Sequence, residues 1–165
     1  IRGDIIKSPR TMLWFQDDNC EYKFCGGIIK PSQYSEIPMI LDIKKTIHTK
    51  LISIMETNIP FYEETTTVLN SVLINKYRNG KDYVGWHSDN EPVFPDNSNI
   101  ISVSFGQTRK FLIKEKETKN VTEFKLKSGD IMVMGGSFQQ HFLHMVPRTH
   151  ESDIRFNLTF RHYHS

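Results

Sequence analysis

His87-Ser88-Asp89 is a place where residue types and spacing suggest chemistry. Strand side chains alternate with period two, so a strand through this triplet puts an imidazole and a carboxylate on one face, both able to bind a metal. The triplet alone says little, because seven His and nine Asp in 165 positions give about 0.4 such triplets by chance. Two later segments add weight. His144 falls in an apolar run that reads as a strand, and Arg155-Phe156-Asn157-Leu158-Thr159-Phe160-Arg161 alternates throughout. In that segment Phe156, Leu158 and Phe160 form a core face, and Arg155, Asn157, Thr159 and Arg161 share the other. An exposed strand would put those four polar groups in water. A buried one would offer two guanidinium forks, an amide and a hydroxyl to a dicarboxylate. Asn75 and Tyr77 share a face in Leu73-Ile74-Asn75-Lys76-Tyr77 and can donate to the same anion. Two His and one carboxylate hold three corners of an octahedral Fe(II) and leave three open, enough for a 2-oxo acid and dioxygen.

The elements that must position these groups follow from periodicity. Ile40, Ile43, Ile47, Leu51 and Ile54 recur at steps of three and four, with Pro38 near the first turn and Asn58 past the end, which predicts a helix over 38–57. Its Lys44, Lys45 and Lys50 read as a solvated face. From residue 68 onward strands are predicted at 68–78, 82–89, 100–105, 109–115, 121–127, 130–134, 141–146 and 154–162, with a hairpin loop at 115–121. Short strands after one long helix give an α+β fold, a β-sandwich or jelly roll braced by the helix. The whole chain, 1–165, reads as a single domain.

Composition excludes several classes. At 38% hydrophobic and 12% aromatic residues there is material for a core, which excludes long disorder. The balance of 21 basic and 19 acidic residues, net +2, leaves any nucleic-acid binding to local patches. One such stretch is 109–127, with seven Lys or Arg against three Glu, which either tracks phosphates or is a solvated hairpin. No apolar run is long enough to span a membrane and no signal peptide is visible, so a soluble intracellular protein, nuclear or cytoplasmic, is expected. Cys20 and Cys25 read as ordinary thiols. The chain opens at Ile1 rather than Met, which reads as earlier residues having been removed.

With these blocks in order, the sequence resembles the AlkB family of Fe(II)/2-oxoglutarate dioxygenases, most like homologues 2 and 3, which remove alkyl groups from nucleic-acid bases. The resemblance runs from about Ile1 to Tyr163 and is carried by residues 73–80, Trp86-His87-Ser88-Asp89-Asn90-Glu91-Pro92, Ser102-Val103-Ser104-Phe105-Gly106, Gly129-Asp130, His144-Met145-Val146-Pro147 and 155–161. It implies that His87, Asp89 and His144 bind iron and form the catalytic centre, and that Asn75, Tyr77, Arg155, Asn157 and Arg161 hold 2-oxoglutarate. His141 is the rival third ligand, but only His144 precedes the family's Val-Pro type of pair. Phe24, Tyr22, Glu91 and Arg10 are implied to line the base pocket, with Phe24 stacking on the flipped base, Glu91 facing its positive charge, and Arg10 either structural or orienting the pocket.

The resemblance also implies an α+β fold, a double-stranded β-helix (jelly roll) braced by one long helix, and divides the domain into a nucleotide-recognition segment (1–34), a supporting helix (35–66) and a jelly-roll core (67–165). Asn90 replaces an acid that relatives often carry, which removes an Arg10-to-acid ion pair of the family kind. Arg2 lies where homologue 2 has an apolar wedge, so single-stranded DNA or RNA is the expected partner, bound by a monomer. The implied reaction is oxidative demethylation of bases of the 1-methyladenine or 3-methylcytosine type, using Fe(II), 2-oxoglutarate and dioxygen. Two alternatives are a non-catalytic reader of methylated nucleic acid and a zinc hydrolase using the same three ligands.

Overall fold

A computed structural model describes residues 9–24, 27–58, 69–94, 97–150 and 153–163, with the side chains of residues 23, 24, 51, 52 and 54–58 outside that description. The described strands before the helix are β1 (Thr11–Gln16), β2 (Tyr22–Phe24) and β3 (Gly27–Ile29); then come a 3-10 turn (Tyr34–Glu36) and helix α1 (Pro38–Asn58). After it run β4 (Ser71–Tyr77), β5 (Val84–His87), β6 (Ile100–Gly106), β7 (Arg109–Glu115), β8 (Val121–Leu126), β9 (Ile131–Met134), the short helix α2 (Phe138–His141), β10 (Phe142–Val146) and β11 (Arg155–Arg161).

From β4 to β11 successive strands alternate between two antiparallel sheets, except where the β7–β8 hairpin stays in one. The large sheet has the order β1-β4-β11-β6-β9 and the small one β5-β10-β7-β8, the jelly-roll arrangement. Period two then divides the side chains. Val72 and Ile74 of β4, Ile101 and Val103 of β6, and Leu158 and Phe160 of β11 pack with Phe15 against Ile40 and Ile47 of α1. The opposite faces of the same strands turn toward the small sheet, where Tyr77, Ile100, Phe111, Leu126, Met134 and Val146 form a second cluster. One sheet thus presents an apolar face to the helix and a mixed face to the interior.

Several details differ from the sequence reading. The strand expected over 82–89 forms only from Val84 to His87. Asp82 instead turns back, its carboxylate accepting from the Arg78 amide and guanidinium at 2.8 Å, and Asp89 lies beyond the strand end. The strand expected to start at 141 starts at Phe142, because the preceding residues coil into α2. Among the described residues three strands precede the helix where none was predicted, and β1 pairs residue by residue with β4 at the large sheet's edge. Phe156 is not core but 38% exposed. Lys44 is drawn out of the solvated face, its ammonium 2.6 Å from Asp17 Oδ2. The Arg2 and Cys25 readings fall outside the described residues.

Candidate active site

β5 and β10 lie side by side with His87 opposite His144, but the register slips so that Val84 pairs with Val146. Three residue steps on β5 thus match two on β10, a bulge that lets Val84 and His87 both line the inter-sheet pocket despite their odd spacing. The His87 Nδ1 atom lies 2.9 Å from the Gly85 carbonyl, so a proton there leaves the Nε2 lone pair facing the site. Asp89 arrives from the turn after β5, and its backbone N–H donates to Gln139 Oε1 of α2 at 2.9 Å.

The His87 and His144 rings stand 4.2 Å apart, His87 Nε2 is 3.5 Å from Asp89 Oδ1, and His144 Nε2 is 3.9 Å from Asp89 Oδ2. One ligand atom from each of the three residues falls within 4.8 Å of the others, a set that could hold a metal ion. His141 sits exposed at the end of α2 and does not belong to this group.

The electrostatics suit ligation. Burial alone would raise the Asp89 carboxyl, but Arg161, whose Nη2 donates to Oδ2 at 3.3 Å, outweighs it together with both His and Arg10, and holds the carboxyl at about 2. Burial pushes the His144 imidazole down to about 4, with His87 and Arg161 adding to the effect and Asp89 opposing it. At neutral pH the site therefore presents a carboxylate and, at His144, a neutral imidazole.

β11 delivers the arginines. Arg155 and Arg161 are 1% and 2% exposed, on the inward face of the strand with Asn157 and Thr159. Asn157 pairs with Asn75 of β4, and Arg155 with Tyr77, so the five residues expected to hold a dicarboxylate occupy two adjacent strands. Arg155 Nη2 donates to Ser104 Oγ at 2.9 Å and its guanidinium lies 5.2 Å from the Tyr77 ring. Asn157 Nδ2 donates to Ser102 Oγ at 2.7 Å, and Asn75 Oδ1 accepts from Arg10 Nε at 2.6 Å. Nε and Nη1 of both Arg155 and Arg161 are buried without a hydrogen-bond partner. Buried cationic donors left unpaired are costly, and an anion beside the His-Asp-His set would satisfy them.

Gly106 ends β6 at φ +83, where a Cβ would run into the Ile154 carbonyl; its hydrogen atom lets that carbonyl approach just before Arg155.

On the other side of the set, the Tyr22 hydroxyl donates to Glu91 Oε1 at 2.7 Å and its ring stacks 4.7 Å from buried Trp14. Arg10 is buried and reaches Asn75, not an acid at position 90. Phe24 pairs through its backbone with Gly27 in the β2–β3 hairpin, and its side chain falls outside the described residues.

Sequence reasoning missed Gln139, Ser102 and Ser104. The two serines alternate with Ile101, Val103 and Phe105, so parity could have found them once Arg155 was turned inward. Nothing near Gln139 in the sequence could have linked it to Asp89. Arg109, counted among surface cations, is buried and donates to the Asp82 carbonyl at 2.9 Å.

A family model described as the 2OG-Fe(II) oxygenase superfamily matches residues 6–161. Human alpha-ketoglutarate-dependent dioxygenase alkB homolog 3 is 33% identical over 172 aligned positions, covering 98% of this chain and 54% of that protein. Human DNA oxidative demethylase ALKBH2 is 30% identical, covering 93% of this chain and 56% of that protein. The chain spans about half the length of these curated relatives. Among solved structures, that of OsALKBH1 superposes with a TM-score of 0.58 at 20% identity, covering 92% of this chain and 77% of the other, a likeness of fold.

Proposed function

The chain belongs to the 2OG-Fe(II) oxygenase superfamily, within its AlkB family, and from that premise we propose that it removes N-linked alkyl groups from nucleic-acid bases by oxidation. The observation that supports this most is the adjacency of a buried His-Asp-His set to two buried arginines with unpaired donors. Two imidazoles and one carboxylate fit Fe(II) with open positions, and the guanidinium groups fit the carboxylates of 2-oxoglutarate.

In this reading His87, Asp89 and His144 hold the metal, and Asn75, Tyr77, Arg155, Asn157 and Arg161 hold the cosubstrate. When bound, Fe(II) with 2-oxoglutarate and dioxygen supplies the oxidation that turns an N-methyl into an N-hydroxymethyl group, which leaves as formaldehyde while the cosubstrate leaves as succinate and carbon dioxide. The chain's own groups position and exclude water. Arg161 keeps Asp89 ionised from inside the barrel, and Gln139 holds its backbone. Tyr22 fixes the Glu91 carboxylate, whose charge favours a cationic alkylated adenine or cytosine, while Phe24 stacks on the base and Arg10 braces Asn75. Residues 1–34 act as the recognition segment, 35–66 as the supporting helix and 67–165 as the catalytic core, with a single-stranded DNA or RNA substrate and a monomeric enzyme.

The test is mass spectrometry of matched DNA and RNA oligonucleotides carrying 1-methyladenine or 3-methylcytosine, incubated in air with Fe(II), ascorbate and 2-oxoglutarate. Loss of the methyl group with matching succinate is expected. Succinate without base demethylation would remove the nucleic-acid substrate from the proposal, and no succinate would remove the dioxygenase.

A further inference from the structure

Trp86 stands next to His87 in β5, yet its side chain lies on the outside of the small sheet and is 36% exposed. The chain's other tryptophan, Trp14, is 0% exposed, so Trp86 is the indole that meets solvent. Lys114 of β7 sets its ammonium 4.3 Å from the Trp86 ring centroid. Across the sheet Lys114 pairs with half-buried Leu143 of β10 and exposed Val121 of β8, one residue from the positions level with His87 and His144. Leu143, Lys114 and Val121 thus form a row on the outer face one residue from the metal-competent positions, and the Lys114 ammonium links that row to the Trp86 ring, an apolar and cationic strip.

The strip continues toward the site. Lys116 donates to the Gln139 carbonyl at 2.8 Å and reaches Ser88 Oγ at 3.5 Å, so the same edge touches the turn that carries Asp89. Among the described residues the Lys110 ammonium is matched by Glu123, whereas the ammonium groups of Lys114, Lys125 and Lys127 form no ion pair with an acid. An exposed indole with unmatched ammonium groups suits a polyanion that also carries flat rings. Bases stack on an aromatic face whatever their sequence, and phosphates take the lysines.

We propose that the outer face of the small sheet, at Trp86 and Lys114, is a docking platform for the single-stranded nucleic acid that flanks the target base. The platform rests on the nucleic-acid reading above and adds to it a second contact region, outside the barrel. Affinity then depends on the length of the strand as well as on the lesion.

Trp86 supplies its own reporter, because Trp14 is sealed from solvent. Tryptophan emission would be followed in the full chain while a short oligothymidylate is added, then challenged with neutral acrylamide. Quenching by the oligonucleotide and protection from acrylamide are expected. Trp86→Leu should weaken oligothymidylate binding about tenfold, the range for losing one stacking aromatic, and Trp86→Phe should restore most of it. Lys114→Glu should weaken binding at low salt and flatten the dependence of log affinity on log salt by about one unit or more. With methylated substrates, Trp86→Leu should raise KM for a long oligonucleotide more than for a trinucleotide.

Acrylamide reaching Trp86 equally with and without saturating oligonucleotide, while the methylated oligonucleotide is still demethylated, would overturn the platform and leave the demethylase standing. Absence of both binding and demethylation would instead sink the nucleic-acid reading and the platform with it. If Trp86→Phe binds as weakly as Trp86→Leu although both melt like the parent, the ring does not stack and the proposal fails.

Discussion

His144 and Asp89 illustrate how neighbours prepare a side chain for one task. A metal ligand must be neutral imidazole or ionised carboxylate, and burial with Arg161 nearby enforces both states at neutral pH. We predict that Asp89→Ala and His144→Ala abolish Co(II) binding in an anaerobic titration, whereas His141→Ala retains it; the opposite result for the two histidines would move the third ligand. The shifts also set acid stability in the metal-free protein. The folded pKa of His144, about 4, lies below the ordinary value of 6.5, so the unfolded chain takes up the proton first. Stability should fall as pH drops from about 6.5 to about 4, by about 3 kcal/mol at 1.4 kcal/mol per unit, and His144 should add no further loss below that. Asp89, depressed from 3.8 to about 2, contributes stability above 3.8 that is lost toward pH 2. Urea midpoints measured against pH in chelator should show a shallower slope between 6.5 and 4 for His144→Gln; parallel curves would mean that another group titrates there.

β11 does two jobs because a strand has two faces. Leu158 and Phe160 close the helix side, and Arg155, Asn157 and Arg161 furnish the interior. The two faces should separate in mutants. Phe160→Ala deletes a fully buried ring and is expected to cost about 3–5 kcal/mol of stability, read by urea unfolding. Arg155→Ala removes one partner of a buried charge-assisted contact and should weaken 2-oxoglutarate binding to the anaerobic metal complex by about 2–5 kcal/mol. An Arg155→Ala protein that binds 2-oxoglutarate normally would place the anion site elsewhere. α2 is a smaller case: one helical turn, just before β10, brings Gln139 under the Asp89 amide and so ties the carboxylate turn to the strand of His144.

Taken as one body, the barrel encloses cationic groups that its own residues leave unsatisfied, with Arg155 and Arg161 each retaining two unpaired nitrogen donors. A ligand that binds only the folded state stabilises it in proportion to its occupancy, by about 2.7 kcal/mol at a hundred times its Kd. Mn(II) with 2-oxoglutarate under argon should therefore raise Tm clearly, more than either alone, and Arg155→Ala should lose most of the increment due to 2-oxoglutarate. If the increments of metal and 2-oxoglutarate are independent and simply add, the two sites do not adjoin as drawn here.

Much of this molecule was legible before any fold was known, for definite physical reasons. The helix over 38–57 showed in its isoleucine spacing, the strands from β4 to β11 in alternation, and the inward and outward faces of β11 in parity, because helix and strand periods are local properties of the chain. The His-x-Asp triplet and its distant His were visible as residue types. Their convergence was not, since it depends on pairing across the small sheet, on a bulge that alternation does not encode, and on a turn placing Asp89 beyond its strand. The same holds for Gln139, fifty residues from the Asp89 amide it receives, and for the inward turn of the two arginines in place of an exposed strand. Long-range pairing decides such contacts, and hydrogen bonds between residues far apart leave no periodic trace in the sequence that makes them.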